Sequence, residues 1–139
     1  TKKIHNALQG TPEKITKQMW QHHYEVNKDN AARLDLKGDA VLIHDPQPAP
    51  LVEWRDGGVW IFRCHIDVSN PFEPVYRHLS RYCEKYDALI FSVARFARAM
   101  DTDEFIITPC IDPLSEKNRE MTDEEVNAAQ QAAYKKEQG

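Results

Sequence analysis

The chain has 139 residues, 41% of them hydrophobic, with 18 basic and 22 acidic side chains giving a formal charge of −4. A fold of this length hides roughly 70% of the surface its unfolded chain exposes and needs no covalent staples, so the expectation is a single soluble globular domain. Net negative charge argues against the cationic face that a polyanion requires, and the lack of any apolar run of spanning length argues against a membrane span.

The three cysteines, Cys64, Cys83 and Cys110, form no CxxC pair and sit in or beside apolar segments. Each is expected to be a small buried hydrophobe rather than a ligand or a bridge partner. With no targeting segment ahead of the first helix, a reducing cytoplasm is the expected compartment.

In chain order, "TKKIHNALQG" predicts a short helix stopped by Gly10. "TPEKITKQMWQHHYEVNKDNAARL" predicts a longer one, with Thr11 as N-cap, Pro12 at the first helical position and Glu13 in the first turn. Ile15, Met19, His23 and Val26 recur at spacings of three and four and are expected to form its buried face. His22 and His23, about 100° apart on such a helix, do not converge on one ion. They are assigned to the margin of that face without chemistry.

Four β-rich runs follow: "AVLIH" at 40–44, "VWIFRCH" at 59–65, "ALIFSV" at 88–93 and "EFIITP" at 104–109. Each is nearly continuous in apolar residues, the pattern of strands covered on both faces. "PFEPVYRHLSRYCEKY" keeps a helical period through Val75, Leu79, Tyr82, Cys83 and Tyr86, and "PAPLVEW" and "ARFARAM" offer shorter helices. Alternating strand and helix predict an α/β fold, a partial Rossmann-like three-layer domain with a mainly parallel sheet of about four strands. A polar, alanine-rich helix or tail over 122–139 follows, capped by Thr122.

Open parallel sheets bind ligands at the carboxyl ends of their strands, and there the polar residues gather. The first strand runs into His44-Asp45 and Gln47, the second carries Arg63 and ends in His65-Ile66-Asp67, the third ends at Ser92, and the fourth runs to Thr108 and Asp112. Capping two helices requires only two such residues, so two neighbouring exits that each pair histidine with a carboxylate point to a ligand. Carboxylates and an amide suit a polyhydroxylated one, since each oxygen accepts from a hydroxyl and Gln47 also donates. Prolines 46 and 48 lower the ordering cost of their loop. His44, Asp45, His65 and Asp67 are chemically competent metal ligands, but no count or spacing defines a site, and neither a metal nor another cofactor is expected.

Taken together, "KIHNALQG", "VLIHDPQPAPLVEW", "WIFRCHID", "YCEKYDALIFS" and "PCIDPLSEKN" resemble, in order, the amino-terminal domain of trehalose glycosyltransferring synthases and related trehalose phosphorylases, from residue 2 to about residue 126. The resemblance implies a retaining glycosyltransferase that joins glucose from a nucleotide-glucose donor to free glucose, making trehalose without a catalytic metal. It also implies that residues 1–121 form the acceptor-side part of one half of a GT-B fold. Carried over position by position, it places His5, Asn6, Gln47 and Arg63 as substrate-binding residues and His65, Asp67 and Asp45 as catalytic ones. Asp45 and Asp67 would orient acceptor hydroxyls while His65 contacts the reacting glucose. "FSVARFARAM" and "PC" depart from the family's pattern, and the portions that bind the donor nucleotide have no counterpart in this sequence. The expected partners are therefore glucose or trehalose, with nucleotide-glucose only where the remaining domain is supplied. The alternative is a non-catalytic carbohydrate-binding module, or one that forms a homo-oligomer to cover bare sheet edges.

Overall fold

The computed structural model describes residues 2–98, 100–110, 112, 115 and 118–128. Contacts divide the chain into residues 1–108 and residues 109–139.

The first unit is an α/β arrangement around one parallel sheet. Helix α1 (Lys2–Leu8) and helix α2 (Lys17–Ala31) precede strand β1 (Ala40–His44). A 3-10 segment, Ala49–Trp54, leads to strand β2 (Val59–Cys64), and helix α3 (Glu73–Cys83) leads to strand β3 (Ala88–Phe91). A 3-10 turn at Ala94–Phe96 precedes strand β4 (Asp103–Ile106). The spatial order is β1-β2-β3-β4, all neighbours parallel, with His44 opposite Arg63, Arg63 opposite Ile90 and Ile90 opposite Phe105. All four carboxyl ends therefore share one edge.

Side chains alternate across the sheet, and its two faces differ. Ile43, Trp60, Phe62, Cys64, Leu89 and Phe91 point into a core closed by Val75, Leu79 and Cys83 of α3, Leu51 and Val52 of the first 3-10 segment, and Ile4, Ala7 and Leu8 of α1. On the other face Leu42, Val59 and Phe105 are 46%, 49% and 53% exposed. Among the described residues, then, continuous apolar character marks two-sided cover only in β3. β1 and β4 are largely exposed, β4 along its whole length.

Several local expectations are corrected. The second helix starts at Lys17 rather than after Thr11, and its N-cap is Thr16, whose hydroxyl accepts from the Met19 amide at 3.2 Å. Residues 11–16 are held against α1 instead: Asn6 donates to Glu13 at 3.1 Å, Lys3 lies 3.7 Å from the same carboxylate, and the Thr11 amide donates to the Asn6 carbonyl. Glu13 is thereby taken from the first turn it was expected to occupy. The buried face also differs from the one expected: Asn27 is buried, with Trp20, His23 and Tyr24 half-buried, while Met19 and Val26 are exposed. "ARFARAM" supplies a single 3-10 turn. Cys64 and Cys83 are buried as expected, and burial pushes both thiols up to about 12, but Cys110 lies exposed in an irregular segment after β4.

In the second unit, Thr122 caps a helix described over residues 123–128. Its hydroxyl accepts from the Glu125 amide, and the Glu125 carboxylate accepts from the Thr122 amide in return, the reciprocal pair of a capping box. Arg119 binds the same carboxylate and, with those bonds, holds it down to about 2. The tail beyond residue 128 lies outside the described residues.

Tyr86 ties the core to the segment after β1: its buried hydroxyl donates to the Ala49 carbonyl at 2.8 Å. Tyr86→Phe keeps the ring and removes that bond, so it should lower unfolding free energy by about 1 kcal/mol in urea titrations. An unchanged midpoint would show that the bond contributes nothing.

Candidate functional site

The site is built where β1 and β2 leave the sheet. Because His44 pairs with Arg63, both side chains stand on the open face at its carboxyl edge, and His65 follows two residues later with the same parity. The result is a direct bond between imidazoles: His44 Nδ1 lies 3.0 Å from His65 Nε2, with the rings 7° from parallel. One of the two nitrogens must carry the hydrogen and the other accept it. Both histidines are exposed.

Asp45 completes the cluster at a conformational cost. Its φ of 66° makes it the single non-glycine residue in the left-handed region among the described residues, and it precedes Pro46, which restricts its neighbour toward extended conformations. Aspartate tolerates this region better than most residues. Two bonds hold it from the β2 side: its amide donates to the Arg63 carbonyl at 2.8 Å, and its Oδ1 accepts from the His65 amide at 3.0 Å. A carboxylate has about four acceptor positions, so Asp45 retains capacity for a ligand. Strain retained at a position fixed from outside is a recurrent feature of functional sites.

Arg63 reaches across the open face toward β4, where a terminal nitrogen donates to the Ile107 carbonyl at 3.2 Å. Its Nε is buried without a hydrogen-bond partner, as is the hydroxyl of Ser92 at the end of β3. Donors left this way cost about 1–3 kcal/mol each, and both are closed off from solvent at the edge of the sheet.

The remaining predicted site residues lie elsewhere. Asp67 accepts from the Ser69 amide at 2.9 Å, and the Ser69 hydroxyl and amide hold its carboxyl below the usual range. It lines a separate polar recess of about 310 Å³ with Gln9, Ser69 and Asn70. No described bond joins Asp67 to Asp45. His5 and Asn6 are on α1, where the Asn6 amide is committed to Glu13. Gln47 takes part through its backbone carbonyl, which accepts from His23 Nε2 at 2.8 Å and Asn27 Nδ2 at 3.1 Å.

Those last two residues escape a reading by hydrophobic period. His23 does have a polar role, unlike His22, and a buried asparagine on a surface helix is detectable only once the face it occupies is known. Among the described residues no group of three or more His, Cys, Asp or Glu side chains is arranged to hold a metal ion, and no helix is long and apolar enough to cross a membrane.

His23 belongs to a stacked aromatic group. Trp20 lies 3.8 Å from the His78 ring, and His23 packs edge-on against Trp20. Burial holds both imidazoles below their ordinary value of 6.5, with Arg81 also disfavouring charge on His78. The unfolded chain therefore takes up protons that the folded one resists. Stability should be full above pH 6.5 and fall as the pH drops from there toward the lowered folded values. Melting temperature followed from pH 7.5 to 5 should decline, and His78→Phe should flatten part of that decline. An identical slope in the variant would refute the assignment.

A family model described as the N-terminal domain of trehalose synthase matches residues 1–98. The trehalose synthases of Thermococcus litoralis and Pyrococcus furiosus are each 46% identical to this chain over 131 residues, covering 91% of it and 32% of their own length. That of Rubrobacter xylanophilus is 37% identical over 131 residues, covering 88% and 32%. The chain thus spans about a third of the length of these curated relatives.

Proposed function

The chain belongs to the family of trehalose synthase N-terminal domains, and from that premise we propose that it is the acceptor-side portion of a retaining glucosyltransferase transferring glucose from a nucleotide-glucose donor to glucose. The cluster of His44, Asp45, Arg63 and His65 is the surface that receives the sugar. The observation that carries this reading is the strained Asp45, fixed between two strand ends with acceptor capacity to spare beside two imidazoles.

The chemistry fits the task. Retention without a protein nucleophile demands stabilisation of an oxocarbenium-like state and a firmly oriented attacking hydroxyl. Asp45 accepts from an acceptor hydroxyl. The His44–His65 pair offers its outward ring positions to the sugar, and Arg63 supplies positive charge at the same edge. Asp67, engaged with Ser69 in a separate recess, is not part of this surface. Gln47 shares the loop after β1 with Asp45, whereas His5, on α1, is not part of this surface. The donor nucleotide is held by the rest of the protein, so this portion alone binds sugar without turning it over.

The oligomerising alternative is favoured by one observation, the half-exposed Leu42, Val59 and Phe105 on the open face. Calorimetric titration with glucose and trehalose tests the first reading. Asp45→Ala should weaken glucose binding by about 10–100-fold, the equivalent of roughly 1.5–3 kcal/mol for a hydrogen bond to a charged group. Asp45→Asn, which tolerates the same backbone angle and keeps one acceptor, should fall between. Wild-type affinity in Asp45→Ala, or no sugar binding by the unaltered chain, would overturn the proposal.

A further inference from the structure

We infer that His23 and Asn27, one turn apart on α2, are positioning residues for the loop after β1, holding Asp45 in its left-handed conformation through the carbonyl of Gln47. The inference rests on the sugar-facing reading of Asp45 for its functional meaning, but its structural content stands independently of it.

Asp45 is unfavourable twice over, by its φ of 66° and by the proline that follows. Such a residue keeps its conformation only when the chain is fixed on both sides. On the strand side the Arg63 carbonyl and the His65 amide do this. On the loop side the sequence is Pro46-Gln47-Pro48, and neither proline has an N–H to donate. Anchoring there has to come largely through carbonyl oxygens, and the Gln47 carbonyl receives two donors at once, His23 Nε2 at 2.8 Å and Asn27 Nδ2 at 3.1 Å. Two donors occupy both lone pairs of that oxygen.

The donors are themselves oriented. Asn27 also donates from Nδ2 to the His23 carbonyl at 2.9 Å, so both hydrogens of its amide are used. Because a carbonyl only accepts, His23 carries its hydrogen on Nε2. The Trp20 ring packs against the same imidazole. Asn27 is only 3% exposed, a site where a leucine would satisfy packing alone. An amide at such a position is explained by the oxygen it holds. Pro46, buried, completes the loop's attachment.

The test uses amide hydrogen exchange and backbone NMR of the intact chain, with D-glucose as the probe for binding. The diagnostic signal is the His65 amide, because its bond to Asp45 Oδ1 exists only while Asp45 keeps its conformation. In Asn27→Leu the exchange of this amide should accelerate by about tenfold or more, the Asp45 and Gln47 resonances should shift, and glucose should bind more weakly by about tenfold, while the Leu89 and Phe91 amides of β3 stay unchanged. His23→Leu provides a second variant at a half-buried position, and His23→Gln, which restores an amide donor, should return both signals toward wild type.

Unchanged His65 exchange in both leucine variants would overturn the inference, and so would uniform acceleration throughout the sheet, the mark of general destabilisation. If the loop signals move as expected but the wild-type chain binds no glucose, the clamp stands and the sugar-binding reading fails.

Discussion

Everything at the candidate site depends on the register between β1 and β2. Pairing His44 with Arg63 sets the two imidazoles in bonding range, lets the Asp45 amide find the Arg63 carbonyl, and presents the His65 amide to the Asp45 carboxylate. A slip of one residue would send His44 and Arg63 to opposite faces. The register is fixed at the far end of the same strands, where the Val59 amide donates to the Asp39 carbonyl at 2.9 Å and Gly58, at φ 68°, packs so closely on the Gly38 carbonyl that a Cβ there would collide with it. Glycine is the residue that permits both the angle and the approach.

Much of this architecture was legible in the sequence. The four β-rich runs, the helix between the second and third, and the gathering of polar residues at strand exits follow from patterning, and the boundaries of β1 and β2 fall within one residue of expectation. The second helix was misplaced because local capping signals around Thr11 and Pro12 compete with a tertiary use of Glu13, which Asn6 and Lys3 recruit. That competition is invisible to spacing. Continuous apolar character did not report cover on both faces for β1 and β4, since it records what a strand can bury and not what is packed against it.

The site was readable as a set of residue types but not as a geometry. His44, Asp45, Arg63 and His65 come together because adjacent parallel strands bring them together. Asp67 belongs to a different recess because Ser69 turns the chain locally and takes its carboxylate. The left-handed angle at Asp45 carries only a faint sequence mark, an aspartate before proline. The role of Asn27 carries less, because it depends on which face of α2 packs against the rest of the fold. The candidate site at this sheet edge is thus assembled from three layers of constraint: strand register, a strained residue, and a helix whose polar side chains reach the loop after β1.

The most direct test of the account is the bond between the two imidazoles, since it exists only if the register, the strand exits and the ring orientations are all as described. In a chain labelled with nitrogen-15, the account predicts a scalar coupling across the hydrogen bond between His44 Nδ1 and His65 Nε2, lost on replacing either histidine. Two histidines giving independent ring signals, with no coupling and no response of one ring to removal of the other, would contradict it.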